Sequence, residues 1–136
     1  MISAGIGKVM YEKAIGQPGV WIISSQQWPR ALLRAELIER GYDAIGFRSF
    51  EEALIALARA TREPPKALIL DLAGQQVTRS RLSALSEARI PTILLGGALD
   101  LQDPQLSEFS WAGILRRPYM IREVAALVEK IAPLPG

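Results

Sequence analysis

Short apolar runs recur along this chain at intervals of roughly twenty-odd residues, each followed by a stretch with helical spacing, and that rhythm narrows the fold more than any other feature. The runs lie at residues 20–24, 42–47, 67–72, 92–95 and 113–116. Strands alternating with helices argue for βαβ units and a parallel sheet covered on both faces. The run at 67–72 is apolar except for Asp71, as expected of a central strand buried on both sides.

Local signals place the helices between these runs. Pro29 suits the first turn of a helix whose inner stripe reads as Ala31, Ala35 and Ile38, and Gly41 is placed to end it as the left-handed residue beyond its last turn. Ser49 and Glu52 form an S-x-x-E capping box ahead of the stripe Leu54, Leu57, Ala58, and the helix should stop before Pro64-Pro65. Residues 80–88 give a third helix with Leu82 and Leu85 inside. A short fourth helix is expected within residues 100–111, with Pro104 in its first turn. Ile121, Val124, Val128 and Ile131 stripe a fifth, stopped by Pro133. The count is five strands and five helices.

The carboxyl ends of parallel strands face the crevice where α/β proteins bind ligands, so Asp71, Ser24 and Ser25 should meet around one small site. Gly96-Gly97 and Arg117-Pro118 end the fourth and fifth strands at the same crevice. Arg117 can hold a carboxylate through two hydrogen bonds, so a standing pair with Asp71 is expected; the alternative for Asp71 is a solvated strand-end acid.

Composition excludes more than it suggests. With 136 residues and 49% apolar content the chain suits one domain, residues 19–136, behind an N-terminal extension at residues 1–18. It contains no Cys and no His, which removes disulfides, thiolate nucleophiles, imidazole bases and nearly every zinc or transition-metal site. Neither Ser24 nor Ser25 has a histidine to activate it, so no catalytic residue, cofactor or metal is assigned and no enzyme is expected. The 16 Lys and Arg against 14 Asp and Glu are spread without blocks, leaving a nucleic-acid surface unsupported; Arg30, Arg34 and Arg40 read as solvated. No apolar run approaches a membrane span and no signal-peptide core is seen, so no membrane contact and a cytoplasmic location are expected.

In the extension, Ile6, Val9, Met10 and Ile15 suit either a short helix or a frayed end. Gly5-Ile6-Gly7-Lys8 lacks the spacing of a phosphate loop. Trp28, Phe109, Trp111 and Tyr119 fall near the crevice or the last helices, as interface anchors or as partly buried core edges.

Five βα units of this size, with Asp71 ending strand three and a cation followed by Pro118 after strand five, resemble the receiver domain of bacterial response regulators over roughly residues 19–132. The resemblance implies a flavodoxin-like (βα)5 three-layer sandwich with sheet order 2-1-3-4-5. It marks Asp71 as the phosphoacceptor position and Pro118 as a cis-proline candidate. It also implies an acidic Mg²⁺-binding pair where Ser24 and Ser25 stand, a hydroxyl at Gly96, an aromatic at Ile114 and a lysine at Arg117. Serine hydroxyls are poor ligands for a hard cation and glycine cannot hydrogen-bond a phosphate. The expected function is therefore a degenerate, pseudo-receiver domain in two-component signalling that recognises proteins without Mg²⁺-dependent phosphorylation. Its contact surface, which suits a homodimer, is expected on strand five and the last two helices. Two alternatives stay open: a genuine phosphoacceptor whose metal site draws on an acid such as Asp100 or Asp103, and a small ligand bound at Gly96 and Gly97.

Overall fold

The computed structural model describes residues 16–59 and 63–135, so the readings at Ile6, Val9, Met10, Ile15 and the Gly5–Lys8 stretch lie outside the described residues. Strands β1 (Gly19–Ile23), β2 (Asp43–Phe47), β3 (Ala67–Asp71), β4 (Thr92–Gly96) and β5 (Gly113–Arg116) form one sheet. All four pairings are parallel and the order is β2-β1-β3-β4-β5, the 2-1-3-4-5 arrangement expected. Strands β3 and β4 are buried at every position.

Alternation along the strands feeds two separate cores. Val20, Ile22, Ile69, Ile93 and Leu95 face helices α1 (Gln27–Glu39) and α5 (Ile121–Ile131). Trp21, Ile23, Leu68, Leu70 and Leu94 face α2 (Phe50–Arg59) and α3 (Arg79–Glu87). Three layers result because side chains two apart on a strand share a face.

Helix α1 buries Leu33 and Leu37, not the expected Ala31, Ala35 and Ile38, which lie on the exposed side. The helix carries two apolar stripes, and the leucines win the sheet because they bury more apolar area than alanines do. At its end Gly41 adopts φ 105°, with its N–H donating to the Ile38 carbonyl and the Tyr42 N–H to that of Leu37. That is the double closure of a left-handed helix end, and it delivers Tyr42 into the core with its hydroxyl donating to the Ala132 carbonyl at 2.7 Å.

The capping box ahead of α2 is shifted by one residue: Ser49 Oγ accepts the Glu52 N–H at 3.1 Å, but Glu52 Oε2 takes the Arg48 N–H. Phe50 and Ala53 are fully buried, the expected Leu54 and Leu57 pack half-buried against the same core, and of the expected stripe Ala58 alone is exposed. The fourth helix is a larger correction. One α-turn, α4 (Ala98–Leu101), is followed by a 3₁₀ helix (Pro104–Glu108), with Asp103 Oδ1 accepting the Gln105 N–H between them. Acidic residues there stop and start short turns by bonding backbone, which breaks the run into pieces.

Gly113 marks where α5 rests on β5. A Cβ at that position would meet three side-chain atoms of Leu127. Gly113→Ala should therefore destabilise by about 1–2 kcal/mol in urea unfolding, the lower part of the overpacking range, and Gly113→Val by more. Equal stability of Gly113→Ala and the parent would show that α5 lifts off freely.

Candidate functional site

Five elements converge at the carboxyl end of the sheet. β3 carries Asp71 on the α1/α5 side, and the loop after β1 brings Ser24 to the same side. The Asp71 side chain is 1% exposed and Ser24 is fully buried. Ser24 Oγ donates to Asp71 Oδ2 at 2.9 Å. From the end of β5, Arg117 Nη2 donates to Asp71 Oδ1 at 2.9 Å and to Oδ2 at 3.1 Å. One nitrogen thus serves both oxygens, and the two-nitrogen fork open to arginine is not used. The Ala73 N–H completes the set, donating to Oδ1 at 3.2 Å. Both carboxylate oxygens accept two hydrogen bonds, so Asp71 is a buried, paired acid and not a solvated strand end.

The other positions divide around it. Ser25 is exposed and turns away, its Oγ donating to the Ala73 carbonyl at 2.8 Å. It ties the loop after β1 to the loop after β3 and does not touch Asp71's carboxylate in any described bond. Gly96 belongs to β4, and its carbonyl accepts the Arg117 N–H at 2.9 Å. A Cβ at Gly96 would lie 3.2 Å from Asp100 Cβ and 3.4 Å from Leu72 Cδ1, so neighbouring side chains fill the space a larger residue there would need. Ile114 lies on the opposite face of β5 from Arg117 and is 55% exposed, because the abbreviated α4 leaves that face uncovered. The Arg117–Pro118 peptide bond is cis.

Several contacts were not legible beforehand. Arg30, read as solvated, reaches back from the first turn of α1 to donate from Nη1 to the Ser24 carbonyl at 2.8 Å, its stem lying against Gly46. Arg34 Nε likewise donates to the Ala44 carbonyl, and Arg40 pairs with Glu36 and Glu129. A long-range bond from helix to strand end leaves no local mark in sequence. Tyr119 adjoins the pair: burial, and behind it the Asp71 charge, raise its phenol above the ordinary value, while the Arg117 guanidinium pulls the other way.

Asp100 and Asp103 do not join Asp71 in any described bond. Asp100 Oδ2 accepts the Gly97 N–H at 3.2 Å and Asp103 accepts from Gln105, so both are spent on backbone donors. Among the described residues, no three His, Cys, Asp or Glu side chains come together as a metal site. Phe109 and Trp111 pack at the edge of the α2/α3 core, and Trp111 Nε1 donates to the Leu106 carbonyl at 2.9 Å. They are core edges. Trp28, in contrast, is 74% exposed. Among the described residues, no helix is long and apolar enough to cross a membrane.

No protein-family model matches this sequence and no curated protein matches it. Solved structures do. A response regulator receiver protein from Pseudomonas putida is similar at 22% identity with a TM-score of 0.71, covering 84% of this chain and 97% of its own. A receiver domain from Clostridium thermocellum is similar at 16% identity and TM-score 0.70, covering 84% and 93%. One from Methylobacillus flagellatus is similar at 20% and 0.63, covering 85% and 98%. At such identities the likeness is one of fold: this chain has the flavodoxin-like architecture of receiver domains.

Proposed function

We propose that this chain is a receiver-like signalling domain that acts by recognising protein partners and does so without Mg²⁺-dependent phosphorylation of Asp71. One observation carries the reading: the carboxylate is 1% exposed and its oxygens already accept from Arg117, Ser24 and the Ala73 N–H. A phosphoryl donor approaching in line needs a free carboxylate oxygen and a cation to neutralise the transferring group.

The donor set also disagrees with the Mg²⁺ that receiver domains hold. Mg²⁺ is bound by carboxylates, waters and phosphate oxygens. Here Ser24 and Ser25 stand where acids would, and the cation beside Asp71 is the Arg117 guanidinium. A group held this way has no differential contact to offer a phosphate, and a ligand without differential contacts shifts no equilibrium. We therefore assign Asp71 and Arg117 to stability and partner contact to the surface, with the open face of β5 around Ile114 as the recognition site.

Titrating the protein with Mg²⁺ and beryllium fluoride, while following backbone amide shifts, tests this. The amides of Asp71, Ala73, Gly96 and Arg117 should stay in place. Saturable shifts spreading from β3 to β5 would establish a working phosphoacceptor and overturn the reading.

A further inference from the structure

At the amino end of the sheet, opposite Asp71, a recess of about 1000 Å³ lies among the starts of β1 and β2 and the end of α5. Trp21, Ile45, Pro64, Ile131 and Pro133 give it a mainly apolar wall, and the exposed Asp43, Glu63 and Lys66 stand on its rim. None of these three charges forms an ion pair with another described residue.

The chain enters the fold through this recess. Gly16 and Gln17 line it, and the two residues after them are pinned: the Pro18 carbonyl accepts the Asp43 N–H at 3.0 Å and the Gly19 carbonyl accepts the Lys66 N–H at 2.8 Å. Residues 1–15 therefore join the described fold at a fixed point on the recess wall. The strap beyond α5 is already part of that wall, since Pro133 and Pro135 line the recess while Leu134 packs onto Gly41, its Cδ1 3.4 Å from where a Cβ would stand.

We propose that the recess is the docking site of this chain's own residues 1–15, with Ile6, Val9 and Met10 seated on the apolar wall. Reach, tethering and charge select that occupant over a separate molecule. Met10 is six residues from Gly16, and six residues span up to about 20 Å, so the apolar positions nearest the fold reach the wall directly. A segment tethered this closely acts at an effective concentration on the order of millimolar and loses none of the translational freedom that a free partner gives up. The charges match as well: the segment carries Lys8, Glu12 and Lys13, two positive and one negative, and the rim carries two negative and one positive.

Because the chain has no cysteine, a single nitroxide can be placed on the segment. Ser3→Cys carries it thirteen residues from Gly16 and leaves Ile6, Val9 and Met10 intact. In the spin-labelled full chain the amides of Ile45, Lys66 and Ile131 should be broadened, and those of Ile114 and Leu115 should stay sharp. Adding Ile6→Asp and Val9→Asp should relieve the broadening by lowering the docked-to-free ratio about tenfold or more, because an apolar wall refuses two carboxylates. The β3 amides report that both proteins are folded. Broadening confined to the residues beside Gly16, or equal with and without the two aspartates, is what a free tether gives and overturns the proposal. In a mixture of spin-labelled chain with isotope-labelled chain that bears no nitroxide, the recess amides should stay sharp. Broadening there would give the recess to a second copy's segment and overturn the occupant chosen. The recess lies at the far end of the sheet from Asp71, so either result leaves the phosphorylation reading where the fluoride titration puts it.

Discussion

Arg117→Ala should destabilise the fold by about 3–4 kcal/mol, more than Asp71→Ala does, because it strands a carboxylate that has nowhere to go. The asymmetry follows from burial. Asp71's side chain is 1% exposed, and without the guanidinium its charge is left with one hydroxyl and one backbone N–H. Arg117's side chain is 33% exposed, so once Asp71 is gone its head can turn to water. Asp71→Ala should accordingly cost about 2 kcal/mol, from the loss of charged hydrogen bonds and the orphaned Ser24 hydroxyl. The double variant should be more stable than the sum of the two losses implies, with a coupling of about 1.5–3 kcal/mol, the upper range for groups in direct contact. Urea unfolding of the four proteins, with unchanged slopes, measures this. A loss below about 0.5 kcal/mol for Arg117→Ala, the level of an ordinary surface change, would show that the pair is solvated in practice.

How far the sequence carried depended on whether a feature was local. The burial of β3 follows from a continuous apolar run bounded by turn residues, which needs no distant partner to be read, whereas the sheet order was implied by the receiver-domain resemblance. The inner face of α1 was not readable in that way. Two apolar stripes compete there, and only the packing against β1 and β2 decides that Leu33 and Leu37 go in while Ala31, Ala35 and Ile38 stay out. The short α4 escaped because its signals are single caps: Asp100 on the Gly97 N–H and Asp103 on the Gln105 N–H each end or begin one turn. Asp71 and Arg117 were legible as strand-end residues facing one crevice, and the structure joins them directly. Which of the adjacent serines meets the acid was not, since that depends on which face of β1 turns toward α1. Ser24 shares the face of Val20 and Ile22; Ser25 does not.

That division makes Ser24 the position where the two readings of the site differ most in free energy. If the crevice were built to accept a metal, Ser24→Asp would restore half of an acidic pair and be tolerated. In the site as it stands, the new carboxylate would sit where a fully buried hydroxyl now donates to Asp71 at 2.9 Å. It would replace a donor with a second acceptor and place a negative charge against another, with Arg117 able to neutralise one of the two. An uncompensated buried charge costs about 3–5 kcal/mol, so Ser24→Asp should rank with Arg117→Ala among the most damaging single changes at this site. Ser24→Ala, which removes the bond without adding charge, should cost only about 1–2 kcal/mol, and the exposed Ser25→Asp should cost little. The same urea series decides the matter. A Ser24→Asp protein as stable as the parent would mean that the crevice has the room and polarity for paired carboxylates, and Asp71 would then be a phosphoacceptor at rest, no longer a buried acid held by its arginine.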